Sequence, residues 1–328
     1  MTAFEGLACS AAAREIPLPG SATRITGWLC IEQPGAWGRD VIGDEVLGPE
    51  ITAELAARTK AAHVRPMVIR RPGRYEFNGV RTVLIASSRP EGSWCERFEI
   101  TDLKQLLDLD LHLLNGPPPG IGALVEEPVV LVCAHGKRDQ CCALLGRPIA
   151  AGLSDLYPDR VWECSHTGGH RFAPAVVLLP TGLTYGRMDG DSAVAMVDAA
   201  DRGEISLTGF RGRGCYTAVE QVAEVAVRQE ISDEAYTRRA TDGHAEPTTG
   251  AADPGARIDD LTVEPAEIDP ATTKDPATFA GAARVTHRDG RRWLVTTRTV
   301  AYAPRQASCG AAPKPATAVV VDGIHPLP

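Results

Sequence analysis

Two cysteines and two histidines, each pair beside an apolar run typical of a β-strand, constrain this 328-residue chain more than any other feature. Cys133 and Cys142 lie in VLVCAHGKRDQCCALLG, and His166 and His170 lie in VWECSHTGGHRFAP. Thiolates and imidazoles are common protein ligands of zinc and of iron–sulfur clusters. If the two pairs form one metal site, the chain must fold so that the loops after two separate strands meet.

The spacing within each pair narrows the kind of site. Cys133 is predicted at the end of a strand and Cys142 in the first turn of the next helix, where the helix dipole favours a thiolate. Gly168 and Gly169 predict a tight loop between the histidines, and no glutamate follows His166 as in a zinc protease. Structural zinc sites usually have two to four residues between cysteines, whereas iron–sulfur clusters tolerate the eight found here. On the residues alone, zinc, an iron–sulfur cluster and no metal all remain open.

The elements predicted around these residues are those of an α/β protein. Strand PVVLVC, helix QCCALLGRPIAAGLSDLY, strands RVWEC, AVVLLP and LTYGRM, and two further helices are typical of a thioredoxin-like fold, which we assign to residues 125–230. Residues 1–124 show roughly the same order, with an amphipathic helix at 48–63 and no Cys or His in the matching loop PGAWGRD. We therefore predict a related N-terminal α/β domain, and the similarity suggests a degenerate internal repeat.

The last hundred residues have a different character. Residues 231–280 contain eleven Asp or Glu against four Lys or Arg and are rich in Pro, Ala and Thr, which predicts an acidic flexible linker. Residues 281–328 alternate apolar and polar side chains around Asp289 and Gly290, which predicts a small β-hairpin appendage.

Composition excludes several classes of protein. The net charge of −8 argues against a nucleic-acid-binding protein, whose surface must neutralise phosphates. No apolar run approaches the ~20 residues that span a bilayer, and the start MTAFEGLACS lacks the pattern of a secretory signal, so we expect a cytoplasmic protein without a membrane partner. Nine cysteines at long intervals do not indicate a disulfide framework, and we expect buried thiols or metal ligands.

The motifs also resemble a known family. CAHGKRDQCC followed by WECSHTGGHRFAPAVVLLPTGLTYGR, with GWLCIEQPGAWGRD upstream and GFRGRGCY downstream, closely resembles the sucrase/ferredoxin-like family over about residues 20–230. This resemblance implies a thioredoxin-like ferredoxin domain with a [2Fe–2S] cluster. It assigns Cys133 and Cys142 to one iron, and His166 and His170 to the other. No carboxylate pair can be placed as the acid and base of a glycosidase, so a sucrase activity has no support.

The predicted function is electron transfer, one electron at a time, between a reductase and an acceptor protein. Two neutral imidazole ligands in place of two thiolates should raise the reduction potential of the cluster above that of plant-type ferredoxins. Reduction makes the outer imidazole nitrogens more basic, so electron uptake should be coupled to proton uptake. The alternatives are a zinc-stabilised structural or binding module and a cluster-free thioredoxin-like thiol oxidoreductase. We expect a carrier rather than an enzyme.

Five basic residues near the motifs have two interpretations each. His135 and Arg138 either approach the cluster or dock a partner, or else lie in a solvated loop. Arg171 either hydrogen-bonds a cluster sulfide or steadies the loop. Arg211 and Arg213 either receive an acidic redox partner or pack against the loop that carries the histidines.

One cysteine raises a separate question. Cys141 directly precedes the inferred ligand Cys142. It is either an alternate ligand or a bystander thiol, and a disulfide between the two neighbours would be strained.

Overall fold

Two β-sheets organise the chain, which is seen here in a computed structural model that describes residues 8–241, 256–273 and 275–328. The larger sheet contains β1 (Gly27–Glu32), β2 (Val64–Arg70), β3 (Arg81–Ser87), β4 (Trp94–Ile100), β5 (Ala123–Leu124), β6 (Val129–Cys133), β7 (Val161–Cys164), β8 (Ala175–Leu179), β9 (Leu183–Gly186) and β10 (Phe210–Arg213). The smaller sheet contains β11 (Leu261–Ala266), β12 (Phe279–His287), β13 (Arg292–Arg305) and β14 (Lys314–Leu327).

Helices cover the larger sheet and connect its strands. They are α1 (Cys9–Ala12), α2 (Pro49–Ala62), α3 (Gln140–Leu156), α4 (Gly190–Asp201) and α5 (Ala218–Thr241), with short 3₁₀ helices at Leu103–Asp108, Leu111–Asn115, His170–Phe172 and Pro270–Thr272. The predicted mixed α/β class is confirmed. Within the described residues, no helix has both the length and the apolar character needed to cross a bilayer.

The ten strands of the larger sheet follow a repeated pattern. Their order is β10-β9-β8-β6-β7-β2-β1-β3-β4-β5. In the N-terminal half, β1 pairs parallel with β2 and antiparallel with β3, and β3 pairs antiparallel with β4. In the second half, β6 pairs parallel with β7 and antiparallel with β8, and β8 pairs antiparallel with β9. The halves join where β2 and β7 pair antiparallel, through Ile69 with Cys164 and Arg70 with Glu163. This matching order supports the suggested internal repeat, and the two predicted α/β domains share one continuous sheet.

The run DLKQLLDLDLHLL predicts one helix over residues 102–114, but the chain forms two 3₁₀ helices there. The Asp102 carboxylate accepts a hydrogen bond from the backbone N–H of Lys104, and the Asp110 carboxylate accepts one from that of His112. Each aspartate therefore begins a new short helix, because its side chain offers the backbone an alternative to continuous α-helical bonding.

The C-terminal part is more extensive than the predicted hairpin. Strands β12 and β13 pair antiparallel around the expected turn, but β11 and β14 complete a four-stranded sheet. Helix α5 also extends into the predicted linker 231–280, and β11 lies wholly within it; residues 242–255 and 274 of that segment lie outside the described residues. Apolar side chains of α5 and this sheet form one core, which includes Val227, Ile231, Val263, Val285 and Trp293. Because residues 231–280 are acidic in composition, their few apolar positions did not predict this helix and strand.

A buried ion-pair network connects α5 to the larger sheet. Glu224 of α5 is fully buried, and its Oε1 atom accepts hydrogen bonds from Arg213 of β10 at 2.8 Å and from Arg228 of α5 at 3.0 Å. Both arginines also donate to the Ile258 carbonyl, which lies just before β11. The network thus joins the larger sheet, α5 and the approach to the smaller sheet.

Candidate metal centre

Cys133 and Cys142 meet where β6 ends and α3 begins. Their side chains are in direct contact, and the residues are 1% and 0% exposed. Gly146 permits this approach, because a Cβ atom at that position would lie 2.2 Å from the Cys133 carbonyl oxygen. Any side chain at Gly146 would push α3 away from the strand that carries the first cysteine.

The two histidines lie in a tight loop after β7. Gly168 and Gly169 have φ angles of +95° and +73°, in the left-handed region that glycine adopts without strain. This conformation brings the imidazoles of His166 and His170 face to face, with ring centroids 4.8 Å apart and planes inclined by 30°. The loop therefore holds the two rings as a close, tilted pair.

The two pairs converge in the interior. The ligand atoms of Cys133, Cys142 and His166 all lie within 4.8 Å of one another, and the His170 ring lies against that of His166. The Nδ1 atoms of both histidines are buried and have no hydrogen-bond partner in the described part of the chain. Buried polar atoms without a partner are costly, so this donor set fits a bound metal ion or small metal cluster.

The protonation of these groups also suits a metal. Contact with Cys142 lowers the pKa of Cys133 well below its ordinary value, although burial opposes this, and His166 lowers it further. The same contact and burial raise the pKa of Cys142. Burial and the neighbouring His166 lower the pKa of His170, which favours the neutral ring. A thiolate beside neutral imidazole is the form in which these side chains bind metals.

His135 supports the histidine loop from inside the protein. Its Nε2 lies 2.6 Å from the Gly38 carbonyl oxygen, and its Nδ1 accepts a hydrogen bond from the backbone N–H of His166 at 3.2 Å. Its ring also meets Trp37 edge-on at 5.8 Å between centroids. His135 is therefore buried rather than solvated, whereas Arg138 is exposed.

The other predicted basic residues are mainly packed against the loop. The buried Arg211 guanidinium donates to the Gly168 carbonyl at 3.3 Å and lies 5.0 Å from the Phe172 ring centroid, and burial lowers its pKa to about 9. Arg171 is half-buried and lies at the same distance from the Phe172 ring. Arg213 is paired with Glu224. Neither Arg211 nor Arg213 is open to an approaching partner, since they are 0% and 7% exposed.

Cys141 points away from Cys142 and into a second group of side chains. Its Sγ atom lies 3.2 Å from the Sγ atom of Cys309 and 3.7 Å from that of Cys9. Asp139 completes the group. Sequence reasoning missed Cys9, Asp139 and Cys309, because no spacing links cysteines that are 300 residues apart and Asp139 reads only as a helix cap.

The fold and site define an α/β protein with two buried cysteines and half-buried histidines beside them, a group able to hold a metal. The sequence profile of the family described as sucrase/ferredoxin-like matches residues 18–212, more than half of the chain, and the protein belongs to this family. The match covers most of the larger sheet, including Cys133, Cys142, His166 and His170, and ends before β11. Comparisons with curated proteins and with solved structures found no match.

Proposed function

We propose that this protein is a one-electron carrier whose [2Fe–2S] cluster is held by Cys133, Cys142, His166 and His170. The observation that carries the proposal is the pair of buried, unpartnered histidine Nδ1 atoms beside the buried cysteine pair. When bound, such a cluster supplies reversible one-electron redox chemistry. The chain's own part is to hold two thiolates and two neutral imidazoles together and to exclude bulk water from the sulfurs.

The alternatives are less well supported by the same residues. A thiol oxidoreductase needs a cysteine that an external disulfide can reach, whereas Cys133 and Cys142 are almost completely buried. A structural zinc site usually has a short knuckle between its cysteines, whereas eight residues separate these two.

We infer that a redox partner docks on the outer side of His166. This histidine lines a pocket of about 430 Å³ together with Arg39, Asp40, Arg65 and Arg138. Arg39 and Arg138 are exposed. Three arginines against one aspartate favour a partner with an acidic contact surface, which would then approach the imidazole side of the site.

The composition of the anaerobically purified protein tests this function. We expect a red-brown protein with two irons and two acid-labile sulfides per chain, because two cysteines and two histidines complete the ligand set of a [2Fe–2S] cluster. Electron paramagnetic resonance of the reduced protein should give a Rieske-like average g value, since imidazole ligands set that average. Cys133→Ser should lose the cluster, whereas Cys95→Ser, a control in the same core, should retain it. A colourless protein with stoichiometric zinc at these residues would contradict the proposal.

Proton coupling gives a second test of the proposed function. The His170 ring is hydrogen-bonded to the backbone of Ala307 and lines a pocket of about 520 Å³, so its outer side is near solvent. If the histidines gain protons when the site is reduced, the midpoint potential should fall as pH rises, by up to about 59 mV per unit for one proton per electron. Redox titrations from acid to well above neutral pH measure the slope. A flat profile would contradict proton coupling without contradicting electron transfer.

A further inference from the structure

A second group of potential metal ligands lies outside the candidate metal centre. Cys9, Asp139, Cys141 and Cys309 each direct one ligand atom into the same small volume, where all four atoms lie within 4.8 Å of one another. Cys9, Asp139 and Cys141 are 0%, 3% and 3% exposed, and Cys309 is half-buried. A carboxylate is almost never buried in a protein core unless it is paired, and Asp139 is buried here among three thiols.

Three distant segments build this group. Cys9 begins α1, Asp139 and Cys141 lie at the start of α3, and Cys309 lies in the loop between β13 and β14. The Asp139 carboxylate accepts hydrogen bonds from the backbone N–H of Cys141 at 2.9 Å and from that of Cys309 at 2.8 Å. These bonds fix the carboxylate, so it is oriented before any ion binds.

The distances match one tetrahedral ion. Zinc–sulfur and zinc–oxygen bonds of about 2.3 and about 2.0 Å place neighbouring sulfurs roughly 3.8 Å apart, and a sulfur and an oxygen roughly 3.5 Å apart. The Cys9 Sγ atom lies 3.7 Å from that of Cys141 and 3.4 Å from the Asp139 Oδ2 atom. The Cys141 and Cys309 sulfurs, at 3.2 Å, need to separate by only about half an ångström, whereas a disulfide requires about 2.05 Å.

We propose that Cys9, Asp139, Cys141 and Cys309 bind one Zn²⁺ ion as a structural site. Three soft thiolates and one carboxylate form a closed four-ligand set that suits zinc. On binding, each thiol releases its proton to solvent and its sulfur forms a bond to the ion, with no change of oxidation state. The ion fastens α1 and the β13–β14 loop to the start of α3. Because the ion also binds the Cys141 sulfur, Cys142 alone remains to bind the metal of the candidate metal centre.

Separate zinc and iron analyses of the 328-residue chain test this site, which does not depend on the proposed function. We expect one zinc per chain in the wild type and in Cys215→Ser, a half-buried control outside both groups. Cys309→Ser should weaken zinc binding at least about tenfold, and Asp139→Asn should do the same while keeping a helix cap, with iron retained in both. A wild-type protein that contains zinc but no iron would contradict the proposed function and would still support the zinc site.

Cobalt provides a readout that does not depend on how the variants fold. Wild-type protein loaded with Co²⁺ in place of Zn²⁺ should show thiolate-to-cobalt charge transfer and the visible bands of a tetrahedral site. Three results would overturn the proposal: wild-type protein that binds neither metal, zinc that is retained in Cys309→Ser but lost in Cys133→Ser, or a Cys141–Cys309 disulfide in place of bound metal.

Discussion

Replacing His170 with cysteine is expected to retain a bound cluster and to lower its midpoint potential by roughly 125–350 mV, half of the gap between Rieske centres and plant-type ferredoxins. The substitution exchanges a neutral imidazole for an anionic thiolate, so the site carries one more negative charge before it accepts an electron. Because the cysteines beside it are almost fully buried, water screens this added charge poorly. His166→Cys should act in the same direction.

Redox titration of both variants, followed by visible absorption, measures the change. His112→Cys provides a control, since it introduces a cysteine at an exposed histidine of a 3₁₀ helix outside the site. The dependence of potential on pH should also be weaker in each site variant, because one imidazole remains. Unchanged potentials in both site variants would show that the histidines are not ligands. Loss of iron in both would show that the glycine-rich loop cannot adapt.

The candidate centre was readable from the sequence because each half of it is local. Cys133 and Cys142 flank one strand–helix connection, and the glycines between His166 and His170 indicate a tight loop. What the sequence could not supply is the contact between the pairs, which depends on the parallel pairing of β6 and β7. That pairing places Cys133 opposite Cys164, and the histidine loop follows directly.

The second group of ligands shows the opposite case. Cys9 and Cys309 come together only because α1 and the β13–β14 loop both pack at the start of α3. No local sequence pattern indicates such a contact, and the acidic composition of residues 231–280 further obscured β11 of the smaller sheet. Short apolar alternation, as at Leu261 and Val263 of β11, is a weak signal within an acidic segment.

Glu224→Gln is expected to lower the free energy of unfolding by about 3–5 kcal/mol, because it removes the carboxylate charge that both buried guanidinium groups contact. The side chains of Arg213 and Arg228 are only 8% and 1% exposed. Chemical denaturation of both proteins measures the loss. Glu234→Gln, on the same helix, is the matched control: its ion pair with Arg291 is 50% and 39% exposed, so it should cost less than about 1 kcal/mol.

The effect of Glu224 should also depend on pH in a defined direction. Burial raises the pKa of Glu224, but Arg213 and Arg228 outweigh it and hold the pKa below its ordinary value. A carboxylate with a lowered pKa in the folded state stabilises the protein fully above its unfolded pKa of about 4.3, and this stabilisation is lost as pH falls through the folded value. The stability gap between wild type and Glu224→Gln should therefore be constant near neutral pH and shrink in acid. A gap that widens in acid would mean that burial, rather than the two arginines, governs this carboxylate.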